Sequence, residues 1–275
     1  MARRSMRLDE SMWHGTTFAA MRLIVALTLL VGLTSTASAE IHDVTEQYRA
    51  YLIDNVAQAL AAARRMRERV AAHDLDGARR AWIDARVGWE QAEVFTSGYV
   101  SDLDEEIDGW PNALTGFHAI EARLFGAHST EIGAQADQLV YRLTDLDIKV
   151  RQVPLSTQGL LNGTARLAYE VGENKADGGE SRYSGTSLDD MRNNVIGIER
   201  AYRTLFAQTL GASEPRLAQN MQDTIQRLAA ALEVANAKEL EPGKVRAASE
   251  ELIVALQACA PRMGLRQPTL EDITQ

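Results

Sequence analysis

From residue 48 onward the apolar positions recur at helical rather than strand spacing. Between Tyr48 and Val70 they fall at 51, 52, 56, 59, 60, 63, 66 and 70, one stripe of a helix. Arg64, Arg65, Arg67, Glu68 and Arg69 form its solvated side. The break His73-Asp74-Leu75-Asp76-Gly77 ends that helix, and Asp76 is expected to cap the next. The second helix should run from about Ala78 to Phe95, carrying Trp82, Ile83, Val87, Trp89 and Val94. Residues 96–115 lose the pattern: Gly98, Gly109, Pro111 and a dense set of acids predict an irregular connection. Helical spacing returns over 116–124, and further helices are predicted at 131–150 and 157–171. Residues 172–185 are polar and glycine-rich, a patternless stretch that is uncommon unless it serves a function or moves. Ser187 with Asp190 resembles a capping box opening a helix to about Leu210. Pro215 and Pro242 stand where a first-turn proline belongs, opening helices over 215–237 and 242–258. The pattern therefore predicts an all-α fold. It should be a bundle of about eight helices in two four-helix-bundle-like halves, dividing near residue 155.

The first 39 residues read as an address. Arg22 precedes an eleven-residue apolar run, Leu23 to Leu33, which is followed by Thr34-Ser35-Thr36 and the small-x-small site Ala37-Ser38-Ala39. This is the tripartite pattern of a secretory signal. The run is too short to span a bilayer, which takes about 20 residues; a retained short anchor is the alternative. Met21-Arg22 reads as the functional start of the signal, with cleavage after Ala39. The expected product is residues 40–275, exported to the periplasm.

Composition narrows the chemistry. The 275 residues hold 29 Lys plus Arg against 38 Asp plus Glu, a net charge of −9. An acidic chain with no basic block argues against a nucleic-acid partner. The single cysteine, Cys259, excludes an intrachain disulfide framework and a cysteine-rich zinc module. It lies in an apolar helix and reads as inert packing, as do Met191 and Met221.

One stretch gathers residues of metal chemistry. His118 and Glu121 are three apart, so on a helix both side chains share a face and can reach one ion. Glu90 and Glu93 repeat that spacing on the preceding helix. Asp102, Asp104, Glu105, Glu106 and Asp108 lie between the two pairs. Gathering carboxylates costs Coulomb energy, which a bound di- or trivalent cation would relieve. Each pair alone is more simply a solvated or structural feature. Only their joint occurrence puts a metal site on an equal footing with that plainer reading.

These residues carry a resemblance. The order Glu90-Gln91-Ala92-Glu93, Asp102-Leu103-Asp104, Ile107-Asp108 and Gly116-Phe117-His118-Ala119-Ile120-Glu121 resembles the ExxE, DLD…ID and GxHxxE motifs of the imelysin/EfeO family. A second block, Lys175 with Glu180-Ser181-Arg182-Tyr183-Ser184-Gly185-Thr186-Ser187-Leu188 and Asn194-Val195, is similar to a further family stretch. The likeness covers about residues 43–258. It implies a helical, exported protein of bacterial iron acquisition, and Glu90, Glu93, Asp108, His118 and Glu121 as metal ligands, with Asp102 and Asp104 as weaker ones. There is no room for the cupredoxin-like domain of EfeO, so the chain resembles the short EfeM type. Gly185 stands where EfeO-like sequences have His, and Ser181 where they have an acid.

Four carboxylates and one imidazole form a hard donor set, suited to iron and tolerant of zinc or manganese. The first functional reading is an iron-binding component that passes its ion to an inner-membrane iron permease, with a periplasmic peroxidase as a further partner. The second is a zinc metallopeptidase, since the family is also grouped with peptidases. Neither HExxH nor its inverse is present, however. The third is a helical interaction protein whose acids are a solvated patch. Arg182 and Tyr183 either line the cleft or pin the long loop to the bundle.

Overall fold

The computed structural model describes residues 44–109 and 114–274. The secretory signal, its cleavage site and Trp110-Pro111 lie outside the described residues. Among the described residues every regular element is helical. α1 spans residues 44–71, and α2 is Leu75–Tyr99. The cap of α2 is Asp74 rather than Asp76: Asp74 Oδ1 accepts a hydrogen bond from Gly77 N at 2.9 Å, while Asp76 sits inside the first turn.

The connection expected to be irregular contains a further helix, α3, Ser101–Asp108. Two physical terms account for it. Asp102 and Asp104 place negative charge at the positive end of its dipole, and Gly109 closes it at φ +74°, where a side chain would be strained. α4 is Gly116–Glu121 and passes into a π-helical turn, Ala122–Gly126. α5 (Gly133–Gln152) and α6 (Thr157–Glu173) follow.

α7 is Ser187–Ala201, continued through a second π turn at Tyr202–Phe206 into α8, Ala207–Ser213. The expected capping box does not form. Thr186 occupies the cap, and Ser187 Oγ instead donates to Gly178 O and accepts from Ser181 N, folding the loop in front of the helix. α9 (Pro215–Ala231) and α10 (Pro242–Cys259) both begin on proline as expected, although α9 stops short of residue 237. A short α11, Leu270–Thr274, packs on α6.

α2 is the central element, packed against both α6 and α7, while α10 covers α6 and α9. The α2–α6 approach is backbone to backbone. A Cβ on Gly163 would lie 2.1 Å from Val94 O, so only glycine permits it. Trp82, Trp89, Phe95, Phe117, Ile120 and Leu124 are fully buried in this core. Each such side chain contributes about 1.5–3 kcal/mol on burial, enough to hold charged neighbours in place. Cys259, Met191 and Met221 are buried as expected. None of the described helices is long and apolar enough to cross a membrane.

Candidate metal centre

α2 carries Arg86, Glu90 and Glu93 at helical spacing on a face that its tryptophans bury. All three are under 5% exposed. A buried charge is tolerable only when paired, and each of these finds partners on other elements. Arg86 Nη1 donates to Asp108 Oδ1 of α3 at 2.8 Å. Its Nη2 reaches Glu180 Oε1 at 3.2 Å and Asp190 Oδ2 at 3.3 Å, and also pairs with Glu90 Oε1. The guanidinium lies over the rings of Phe117 and Trp82, which fixes its plane.

Lys175, just past the end of α6, serves the other side. Its Nζ donates to Glu90 Oε2 at 2.9 Å and Glu93 Oε2 at 3.1 Å. Asn194 Nδ2 of α7 donates to the same two oxygens.

His118 is brought in by α4. Its ring is held from both ends: Nδ1 lies 3.4 Å from Glu121 Oε2, and Nε2 lies 3.4 Å from Asp108 Oδ1 and 3.3 Å from Glu180 Oε1. The i, i+3 spacing thus works as expected, but it places Glu121 behind the imidazole rather than in front of it. The other oxygen of Glu121 accepts hydrogen bonds from Tyr183 N, Ser184 N and Ser184 Oγ at 2.8–2.9 Å. One carboxylate therefore joins α4 to the long loop. The loop is pinned through its backbone here, while the Tyr183 ring, half exposed, lies over Gly126.

Asp108, His118 and Glu180 each offer a donor atom, all within 4.8 Å of one another. Of the five candidate ligands, Asp108 and His118 stand in this triad and Glu121 orients the imidazole. Glu90 and Glu93 face Lys175, and Asp102 is exposed on α3. Glu180 lies in the second motif block, where spacing alone gives it no role, and Arg86 escapes the motifs altogether. A signal for Arg86 exists in the sequence, since it lies one turn from both Trp82 and Glu90 on an otherwise buried face.

The electrostatics follow from these contacts. Burial works against the His118 cation, yet Asp108, Glu121 and Glu180 outweigh it and hold the imidazole proton well above the usual histidine range. Burial also opposes the Asp108 anion, but His118 and then Arg86 keep it below the ordinary carboxylate value. Glu90 is likewise lowered against burial by Arg86 and Lys175. Glu93 goes the other way, raised by burial and by the charge on Glu90. Arg86 and Lys175 thus supply part of the relief that the sequence pattern assigned to a bound ion. The remaining donors are oxygen-rich with one imidazole nitrogen, a set for a hard or borderline cation. A cavity of about 160 Å³ opens beside them, reached by Glu93, Asp108, Lys175 and Glu180 and walled also by Asp104 and Glu170.

The comparisons agree with this architecture. The chain is 28% identical over 183 residues to the iron uptake system component EfeM of Pseudomonas syringae pv. syringae, covering 63% of this chain and 64% of that protein. It is 29% identical over 181 residues to the iron uptake system component EfeO of Escherichia coli K12, covering 62% of this chain but only 48% of EfeO. The matched part is thus under two thirds of either relative. A solved structure from Parabacteroides distasonis, of a candidate iron-regulated protein A precursor, superposes with a TM-score of 0.64. It shares 18% identity and covers 79% of this chain and 95% of that one, a likeness of fold. The imelysin (peptidase M75) profile matches residues 44–114 and 110–262. The two segments take in the buried charges of α2, the His118 helix and the loop that carries Glu180, and the chain belongs to the imelysin family.

Proposed function

We propose that this chain is an exported metal-binding protein that captures iron in the periplasm for a bacterial uptake system and hands it to an inner-membrane permease. The observation that carries this reading is the convergence of Asp108 Oδ1, His118 Nε2 and Glu180 Oε1 from three separate segments. The names of the EfeM and EfeO relatives support iron as the cargo.

The chemistry is ligand exchange. The triad takes the ion from a weak chelate, and at neutral pH capture expels the proton that the carboxylates hold on His118. Glu121 then fixes the ring through Nδ1–H, leaving Nε2 to face the ion, as outer carboxylates commonly do for metal-bound histidines. Acidification or reduction at the membrane weakens the grip and allows transfer. A zinc peptidase would need Glu121 or another acid as a general base facing a bound water. Glu121 is committed to the imidazole and the loop instead.

The test is metal content and ferric-citrate titration of protein recovered from the periplasm, beside His118→Ala and Glu180→Gln. One equivalent of iron in the native protein, lost in both variants, is the expected result. Equal binding by all three would sink the assignment, and zinc-dependent hydrolysis of a peptide library would replace it with the peptidase reading. N-terminal sequencing of the same material should begin at Glu40.

A further inference from the structure

Lys175 has a position that the capture reading does not use. Its side chain is 6% exposed, and its Nζ lies 2.9 Å from Glu90 Oε2, 3.1 Å from Glu93 Oε2 and 3.5 Å from Glu180 Oε1. Three carboxylates from two segments around one compact charge is the surrounding expected of a metal ion. An ammonium, with three N–H donors and no acceptor, meets it one bond per oxygen.

Glu180 makes the relationship explicit. The same Oε1 that approaches Lys175 also lies 3.3 Å from His118 Nε2. A carboxylate bordering two adjacent cation positions is the arrangement of two-metal sites, whose ions sit about 3.5–4 Å apart. Helical bundles build such sites from glutamates and Glu/His pairs at i, i+3 on facing helices. Glu90/Glu93 on α2 and His118/Glu121 on α4 supply those pairs here. The cavity beside the site reaches both Lys175 and Glu93, so the lysine position is accessible to water and ions once the side chain is shortened.

We propose that Lys175 is a built-in ammonium filling the second cation position of a carboxylate cluster, which restricts this chain to one metal ion where the same cluster without the lysine takes two. It is a specificity determinant, acting on stoichiometry through Glu90, Glu93 and Glu180. The one-ion count for the native chain rests on the capture reading, whereas the gain on removing the lysine does not.

The experiment is manganese(II) titration of the purified chain, with free manganese read by electron paramagnetic resonance. Native protein and Lys175→Arg should each bind one equivalent and Lys175→Met two. The double variant Lys175→Met/Glu93→Gln should return to one. If Lys175→Met is unfolded without metal, manganese should restore its circular-dichroism spectrum and raise its melting temperature more than that of the native chain. A folded Lys175→Met that binds no more manganese than the native protein overturns the proposal, and so does an unfolded one that manganese fails to rescue. If native protein binds none and Lys175→Met binds one, the lysine proposal stands and the His118 reading falls. One equivalent in both, lost in His118→Ala, overturns the lysine proposal and leaves the His118 reading standing.

Discussion

Replacing Arg86 by methionine removes one charge and leaves its volume and the aromatic rings around it nearly unchanged. The guanidinium now bridges Asp108, Glu180, Asp190 and Glu90, and it is only 1% exposed. Water cannot take over its role. Breaking a buried pair by removing one partner costs about 3–5 kcal/mol, because the other charge stays behind. Four carboxylates are left here, so the upper end applies at pH 8. At pH 5 part of the loss is recovered, since Asp190, raised to about 6 by burial against the pull of Arg86, can take a proton. For a domain of this size each kcal/mol moves the melting temperature by about 2–4 °C. The metal-free variant should therefore melt about 6–20 °C below the native protein at pH 8. A metal at a hundredfold excess over its dissociation constant returns about 2.7 kcal/mol. Differential scanning calorimetry with and without metal measures both quantities. A loss below about 1 kcal/mol at pH 8, where the paired-charge penalty should be largest, would falsify the claim that Arg86 is the counter-ion of this cluster.

Other consequences can be checked as directly. Glu121→Gln keeps an oxygen for the loop amides but loses the anion behind the imidazole, and should weaken metal binding by about 10–100-fold without abolishing it. Calorimetric titration gives the number, and an unchanged affinity would remove Glu121 from the site. Gly163→Ala forces a methyl group to within 2.1 Å of Val94 O and should destabilise the bundle by about 1–3 kcal/mol in urea melts. A neutral result would mean that α2 and α6 are not in backbone contact. The stability of the metal-free chain should also depend on pH in a defined sense. Asp104 is raised to about 8, first by burial and then by Glu170, and Asp190 to about 6. Both lie above their unfolded values, so the stability they give is complete below about pH 4 and is lost as pH rises through 6 and 8. Glu90, Asp108 and Glu121 are lowered, so theirs is present above about pH 4 and is lost on acidification. The urea midpoint should peak near about pH 5 and fall toward pH 8, whereas a midpoint that rises over that range contradicts the assignment.

The helices were legible because apolar spacing reports burial, and α1, α2, α6 and α10 follow it closely. α3 was not. Its eight residues expose most of their side chains, leaving only Ile107 buried and no stripe to read. Its existence depends on acids at one end and Gly109 at the other. In the candidate site, Asp108, His118 and Glu121 were within reach because local spacing and a family motif point to them. The pairing of Glu90 and Glu93 with Lys175 was not, because it joins residues 82 and 85 positions apart, a relation that only packing creates. Glu180 was hidden for the same reason, since its loop has no periodicity and gains meaning only when Glu121 fastens it over His118.

That fastening has a mechanical consequence. One carboxylate grips the imidazole with one oxygen and the loop amides of Tyr183 and Ser184 with the other, and Glu180 rides on the same loop three and four residues away. A docking partner that lifts this segment off α4 would carry Glu180 away and unmoor His118 in the same stroke. Unloading would then be a single event triggered by contact, with no need for donors to let go one after another.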